Sequence, residues 1–460
     1  MSLYTAFCSA VLFPLHERLK GHDTRQVLRS LERSQWLAPE ALDRLRVERL
    51  RALLMHAASH TRYYRQRFVE AGFDPAGIRS ISDLAALPVL TKAEIRSNFD
   101  DLLAENARNV KLYSTTGSTG DPLRFYIGRA RITHDVAAKW RATRWWGVDV
   151  GDREIVLWSS PIELSAQDRL RRLRDRLLRS RLVPATALTP EKLDAIVADI
   201  RAYRPKMLFG YPSALTLIAQ HAEHKDIRLD DLGIAVAFCT AERLYPHQRE
   251  RIARVFGCRV ADGYGGRDAG FLAHECPAGG LHLTAEDVIV ETVDSRGRPV
   301  PPGKPGEVVV THLFSHEFPF VRYKNGDVAV LSDRPCPCGR GLPLLQEVQG
   351  RSNDLLLGLS GQRVHGTAFS ILLRELPGVE QFKIVQEALD LVRLQLVVRR
   401  SYDRVRTRER MLAAFRHHLG DRVTVEIEEV EAIAPEPTGK YRYVVNKIRE
   451  PAFEPEKSAP

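Results

Sequence analysis

Residues 113–126 read YSTTGSTGDPLRFY. From Ser114 to Asp121 the run holds three threonines, two serines, two glycines and an aspartate, none of which builds a core. Strand-like residues resume at Leu123. Ser114, Thr115, Thr116, Ser118 and Thr119 carry hydroxyl donors, and Gly117 and Gly120 permit close backbone approach. Small side chains, hydroxyls and backbone N–H groups that converge on one point make a cradle for phosphate. The run lacks the G-x-x-x-x-G-K-[ST] pattern, so taken alone it reads equally as a polar surface turn.

On its N-terminal side the chain is helical to about residue 105, with EALDRLRVERLRALLMHAASH repeating apolar positions at three and four. A Pro break precedes a helix capped by Thr91. On its C-terminal side a helix over 130–146 leads into alternating strands and helices: REIVLWSS, PEKLDAIVADIRAY, PKMLFG, PSALTLIAQHAE, GIAVAFCT, YPHQRERIARVFG and CRVADGYGG. That alternation predicts an α/β fold with a mainly parallel sheet flanked by helices. Residues 280–350 change texture to strand runs between Gly/Pro turns, a small β-rich unit. A boundary near Gly350–Asp354 separates a large N-terminal domain, 1–352, from a small α+β domain, 353–447. Residues 448–460 have the composition of a disordered tail.

With 44% hydrophobic and 27% charged residues among 460, the chain reads as a globular protein of two domains. Its net charge of +10 is carried mostly by arginine. RLRRLRDRLLRSR, residues 169–181, places leucines and arginines at helical spacing, which makes a solvated helix face; an anionic partner is the alternative. No module for nucleic acid is present. No run reaches membrane-spanning length, and the apolar N-terminus, broken by Pro14, lacks the basic flank of a signal peptide. Packing on the domain is the expectation for it, with a membrane-interface role or attachment to a biosynthetic complex as the alternatives. Six cysteines in this length argue for a reducing, cytoplasmic setting rather than a disulfide scaffold. Oligomeric state is left open, a homodimer being one option.

Thr115-Thr116-Gly117-Ser118-Thr119-Gly120-Asp121-Pro122 is followed, in order, by CTAER (239–243), GYGGRD (263–268), RYKNGD (322–327), GRSND (350–354) and PTGKYR (437–442). This ordered set resembles the signatures of the adenylate-forming, acyl/aryl-CoA ligase superfamily. GYPSAL (210–215) and CPCGR (336–340) are most similar to its phenylacetate–CoA ligase branch and to the CapK-like proteins of polysaccharide biosynthesis. The resemblance spans nearly the whole chain. It implies ATP and Mg²⁺ as cofactors, a small carboxylic acid as substrate, an acyl-adenylate intermediate, and transfer to a thiol, most simply that of coenzyme A.

Carried onto this chain, the resemblance implies that Asp327 accepts from the ribose hydroxyls, as an acceptor-only carboxylate can. Arg351 would lie near the ribose and phosphate, and Thr240, Ala241 and Glu242 along the adenine. Tyr264, beside Gly265, would stack on that ring. Asp268 would hold Mg²⁺ on the phosphates, since hard oxygens suit that ion. Thr119 and Lys440 would act on the phosphates, Lys440 stabilising charge that builds in the transition state. The C-terminal domain would swing about Asn353, where the family usually has Asp or Lys. Arg267 replaces the usual Thr or Ser; its planar fork suits a phosphate or a carboxylate, or it fills the nucleotide site.

Cys276 and His282 in CPAGGLH, with Cys336 and Cys338 in CPCGR, supply three thiolates and one imidazole, a closed tetrahedral set for structural Zn²⁺. The resemblance includes members with metal at such a position. His274 is a substitute ligand. Cys8, Cys239 and Cys258 read as small buried hydrophobes. The reading is an AMP-forming acid–thiol ligase. Its rivals send the adenylate to an amine, hydroxyl or carrier protein, or bind ligand without catalysis in a biosynthetic complex. A zinc-dependent nucleic-acid binder is a third rival, marked by salt-dependent affinity. Trp145, Phe209 and Tyr211 are candidates for the acid pocket.

Overall fold

The computed structural model describes residues 2–115, 123–158, 169–185, 188–351, 355–360, 363–365, 369, 372–373, 376–399, 402–434 and 443–448. The chain parts into two compact units near residues 348 and 349. In the larger unit β1 (Lys111–Ser114) and β2 (Arg124–Ile127) form an antiparallel hairpin. Next come β3 (Glu154–Trp158), β4 (Ser180–Pro184), β5 (Met207–Gly210), β6 (Val236–Thr240) and β7 (Arg259–Gly266). They are followed by β8 (Gly270–Glu275), β9 (Leu281–Leu283), β10 (Val288–Val293), β11 (Pro305–His312), β12 (Tyr323–Ser332) and β13 (Leu344–Arg351).

Strands β3 to β13 build one eleven-stranded sheet in the order β10-β11-β12-β13-β9-β8-β7-β6-β5-β3-β4. From β4 to β7 the pairing is parallel; β7 with β8, β8 with β9, β9 with β13, β10 with β11 and β11 with β12 pair antiparallel. The strands of the β-rich stretch continue this sheet on its antiparallel side. A strand's period reveals which face it buries, not which strand lies beside it.

Every residue of β5 and β6 is buried, as expected where helices cover both faces. Alternation sends Leu208, Ala237 and Cys239 to one side, under the helices Pro190–Tyr203, Pro212–His224 and Pro246–Phe256. Met207, Phe209, Val236 and Phe238 go to the other, against Ala142 of the helix Arg129–Arg144. Truncating Phe238 to alanine would cost about 3–5 kcal/mol. Local chemistry sets the helix starts. Thr91 and Glu94 form a capping box, and Pro190 follows the N-cap Thr189.

The run 169–181 departs from the single helix expected. The helix stops at Leu177, Arg179 adopts φ +56°, and Ser180 starts the edge strand β4. Before all this, the N-terminus winds through Leu3–Phe7, a π turn Cys8–Leu12 and Phe13–Leu19. It packs on the domain through Cys8 and Phe13, the latter in a cluster with Leu28, Leu31 and Ala137. Cys239 is likewise buried, while Cys258 is half-buried. No helix among the described residues is long and apolar enough to cross a membrane.

The smaller unit holds the hairpin β14 (Leu355–Leu357) and β15 (Arg363–His365). Its four-stranded sheet combines β16 (Val379–Ala388), β17 (Leu391–Val398), β18 (Thr424–Glu429) and β19 (Val444–Asn446) in the order β18-β17-β16-β19. The helix Arg404–Leu419 supplies Met411, Phe415 and Leu419 to the core of that unit. Asp403 starts it by accepting from Val405 N and Arg406 N, each at 3.1 Å. Of the expected tail, 448–460, residues 449–460 lie outside the described residues, as do Lys440 and Ser352-Asn353-Asp354.

Candidate active site

The hydroxyl-rich run springs from the β1–β2 hairpin. Ser114 pairs with Arg124, Thr115 N donates to Leu123 O, and Leu123 N donates to Thr115 Oγ1, both at 2.9 Å. Thr116, Gly117, Ser118, Thr119 and Gly120, with Asp121 and Pro122, lie outside the described residues; the hydrogen-bonded pair Thr115 and Leu123 flanks them. Arg267 reaches this base: its Nη1 donates to Ser114 O at 3.1 Å. The guanidinium that departs from the family pattern thus stands at the root of the loop.

Arg267 and Asp268 occupy the turn between β7 and β8. That turn is tight because Gly265 has no side chain: a Cβ there would stand 2.5 Å from Gly270 O. Gly265 therefore shapes the turn. Arg131, fully buried on the helix Arg129–Arg144, donates through Nη2 to Arg267 O at 2.9 Å and Asp268 O at 2.7 Å. Its guanidinium lies over Phe125 of β2 and Phe320. One arginine, which no motif singles out, braces the hairpin and the turn against each other.

Asp268 is buried, with Tyr323 OH donating to Oδ2 at 2.6 Å and Ala269 N to Oδ1 at 3.2 Å. Tyr323 opens β12, and four residues on stands Asp327. Asp327 Oδ2 accepts from Tyr264 OH at 2.8 Å and Asn325 Nδ2 at 2.9 Å, and Asn325 Nδ2 also donates to Tyr264 OH at 2.9 Å. Asn325 and Asp327 flank Gly326, whose φ of +89° lies in an irregularity of the β11–β12 pairing. The phenol of Tyr264, a ring expected to stack on adenine, here orients the Asp327 carboxylate. Arg322 of the same signature turns inward: buried, with φ +51°, it pairs with Glu291 at 3.0 Å and donates to Gly297 O.

Parallel pairing sets Thr240, the last residue of β6, beside Gly263 of β7. Ala241 follows with φ +67°, a left-handed conformation unusual for a residue with a side chain. This kink carries Glu242 to the start of the earlier helix Pro212–His224, where its Oε2 accepts from Ser213 N at 3.2 Å. Glu242 thus satisfies an orphan N–H at a helix start. Arg243 lies over Tyr245 and pairs with Glu347 at 2.7 Å. Arg351 closes β13, of which only the backbone is described there.

Outside the carboxyl ends of β3 and β5, where α/β sheets bind ligands, Trp158 and Tyr211 stack at 4.7 Å. Phe209 stacks on Phe238 at 5.7 Å, and the Lys139 ammonium lies 4.7 Å from the Phe209 ring. Trp145 packs against the Phe209 and Phe238 cluster while donating to Gln35 Oε1 at 2.8 Å and meeting His282 edge-on. Trp158, which the sequence did not single out, is the tryptophan stacked on Tyr211.

Cys276, His282, Cys336 and Cys338 converge, their ligand atoms all within 4.8 Å of one another. Cys276 Sγ and Cys336 Sγ are 3.6 Å apart, and Cys338 Sγ and His282 Nε2 are 3.2 Å apart. Tetrahedral zinc at ordinary bond lengths would separate its ligands by roughly 3.5–3.8 Å. His282 Nδ1 faces Leu342 O at 3.3 Å, which leaves Nε2 for a metal. Burial pushes the His282 pKa down to about 4, so the ring is the neutral form a metal binds. Gly280 keeps the space open: a Cβ there would stand 2.5 Å from Cys336 Sγ. The set fits the metal. His274, across from His282 in the β8–β9 register, is not part of the cluster and stacks on Phe271.

Residues 6–313 match the family model described as AMP-binding enzyme, and residues 356–447 match that of the CapK C-terminal domain. The chain is 25% identical to the phenylacetate-coenzyme A ligase of Thermus thermophilus, over 75% of this chain and 77% of that one. It is 24% identical to Protein CapK of Staphylococcus aureus, over 80% and 82%. In architecture it matches 2-hydroxyisobutyryl-CoA ligase, solved in the postadenylation state with R3-HIB-AMP, at a TM-score of 0.75 and 23% identity. That likeness covers 90% of this chain and 91% of the other. With its first signature rooted beside Arg267 and its Asp327 carboxylate held by Tyr264, the chain belongs to the AMP-binding, adenylate-forming enzymes.

Proposed function

We infer that this protein is an AMP-forming ligase that activates a small carboxylic acid and passes it to the thiol of coenzyme A. One observation carries the reading. Segments far apart in sequence, Ser114, Tyr264–Asp268 and Tyr323–Asp327, are joined by direct hydrogen bonds within one unit. In the first half-reaction a carboxylate oxygen of the acid attacks the α-phosphorus of ATP. The bond to the bridging oxygen breaks, and pyrophosphate leaves with the electron pair. In the second, the thiolate sulfur attacks the acyl carbon and AMP departs.

The hydroxyl run from Ser114 to Gly120 is assigned to the β- and γ-phosphates, Asp327 and Arg351 to the ribose, and Thr240, Ala241 and Glu242 to the adenine. Arg267, at the loop base, is placed to clamp a phosphate or the acid's carboxylate. Asp268 accepts one protein hydrogen bond at each oxygen, and a carboxylate oxygen has a second lone pair, so Mg²⁺ is assigned to it. Residues 353–447 are assigned the mobile role about Asn353, with Lys440 serving the first half-reaction. The Trp158–Tyr211 and Phe209–Phe238 stacks favour an acid with an apolar or aromatic body. Similarity to CapK supports a place in polysaccharide or envelope synthesis. Zinc on the Cys₃His set is assigned a structural role, tying β8–β9 to the segment before β13.

The test is acid-dependent exchange of pyrophosphate into ATP, screened over aromatic, fatty and hydroxy acids with and without coenzyme A. Exchange with at least one acid, and a thioester only with coenzyme A, is the expected result. Exchange without a coenzyme A product would move the acceptor to an amine, hydroxyl or carrier protein. The bond from Arg267 to Ser114 O motivates a second reading, in which the arginine fills the nucleotide site and the chain binds ligand without catalysis. ATP binding without exchange for any acid would favour it.

A further inference from the structure

The N-terminal segment carries five large apolar side chains at four-residue spacing: Leu3, Phe7, Val11, Leu15 and Leu19. All are exposed, from 47% at Val11 to 92% at Leu3. Its other side is anchored, with Thr5 Oγ1 donating to Asp152 Oδ1 at 2.8 Å and Cys8, Phe13 and Glu17 buried. In an uninterrupted α-helix a four-residue repeat drifts about 40° per step, or roughly 160° from Leu3 to Leu19. The π turn Cys8–Leu12 holds more residues per turn and takes back part of that drift. The wide turn gathers the five side chains toward one stripe.

The helix Arg169–Leu177 adjoins this segment. Tyr4 OH donates to Leu177 O at 2.8 Å, and the Arg179 guanidinium lies 3.8 Å from the Tyr4 ring. Nothing on this helix is buried. Leu170, Leu173 and Leu177 repeat at three and four and are exposed, and Arg169, Arg172 and Arg176 repeat in the same steps one position away. Residues 169–181 hold seven arginines against one aspartate, and Arg18, Lys20 and Arg25 add charge at the end of the N-terminal segment.

Eight exposed apolar side chains among clustered cations suit a surface that is apolar inside and anionic at its edge. We propose that Leu3–Leu19 and Arg169–Leu177 form a docking surface for an anionic lipid bilayer. The leucines, Phe7 and Val11 enter the headgroup boundary, and the arginines extend over lipid phosphates on their apolar stems. A second copy of the chain fits less well, because a twofold contact would face the arginine run with itself. A nucleic acid would leave the apolar stripe unused.

Flotation of the full chain with vesicles tests this. It should float with phosphatidylcholine vesicles containing phosphatidylglycerol, and less so in high salt or with phosphatidylcholine alone. Leu15→Asp with Leu19→Asp should weaken binding at least tenfold, because each buried leucine contributes about that factor. Arg169→Glu, Arg172→Glu and Arg176→Glu together should do the same, at roughly fivefold or more for each charge lost. All five positions are exposed, so unchanged thermal melting accompanies either loss. Failure of the wild-type chain to float with anionic vesicles overturns the proposal, as does undiminished flotation of either variant or equal binding to neutral vesicles. A dimer that the leucine variant splits, without vesicle binding, assigns the face to a second copy instead. None of these readouts depends on ligase activity.

Discussion

The phenol of Tyr264 donates to Asp327 Oδ2 at 2.8 Å, joining two signature segments 63 residues apart. A carboxylate acceptor makes this a strong bond, one that contributes about 1.5–3 kcal/mol. It turns one oxygen of Asp327 toward the protein and so fixes the plane of the whole group. Tyr264→Phe should raise the KM for ATP roughly ten- to a hundredfold while leaving the fold intact. Asp327→Asn combined with it should cost less than the product of the two single losses. Additive losses would show that the two residues act separately.

Lys440 is assigned to charge that exists only while pyrophosphate leaves. Lys440→Ala should therefore lower the rate of pyrophosphate exchange by about 10²–10³. Melting temperature and ATP affinity should hardly change. Exchange at the wild-type rate would remove the lysine from the reaction.

The parts of the fold legible in the sequence are those where local chemistry decides. Thr91 caps its helix at the residue where the structure has it, and the helix read over 190–203 is found over Pro190–Tyr203. Met207–Gly210 and Val236–Thr240 read as short apolar runs and are strands covered on both faces. Where one residue's conformation or a distant partner decides, legibility ends. Arg179 breaks the expected 169–181 helix by taking φ +56°, which nothing in an arginine side chain announces. The strands of 280–350 are recognisable as strands, yet their joining to β7 through β8 and β9 is a matter of non-local pairing.

The site divides in the same way. Tyr264, Arg267, Asp268 and Asp327 can be read from short signatures. Arg131 cannot, because a wholly buried arginine runs against the base rate for that residue. Asn325 cannot either, because its contact with Asp327 depends on the positive φ of Gly326 at an irregularity of the strand pairing. Nothing local marks Glu242 as the acceptor for Ser213 N, since that helix start lies 29 residues earlier.

The Cys₃His set should hold close to one zinc per chain, measured by elemental analysis of the purified protein. Cys336→Ser should lose it and melt at lower temperature, because metal binding free energy is also folding free energy. Cys258→Ser, outside the set, should retain the metal. Native protein free of metal would end the assignment. Loss of zinc without loss of pyrophosphate exchange would fit its structural role.

Asp262 offers a pH test independent of ligand. Burial, and then the nearby Glu275 carboxylate, push its pKa up to about 7, with the Arg249 guanidinium opposing. An acid whose pKa is higher folded than unfolded binds more protons in the native state between about 4 and 7. Stability therefore falls as pH rises through that window and levels off above it. The full shift corresponds to roughly 4 kcal/mol. Asp262 is only half-buried in the structure, so solvent screening reduces the expected effect to about 1–2 kcal/mol. Asp262→Asn removes the ionisation while keeping an oxygen that can accept a hydrogen bond. The variant should unfold at higher denaturant than wild type at pH 8, by less at pH 6, and at the same concentration near pH 4. A difference that stays constant across pH would show that Asp262 is ionised throughout.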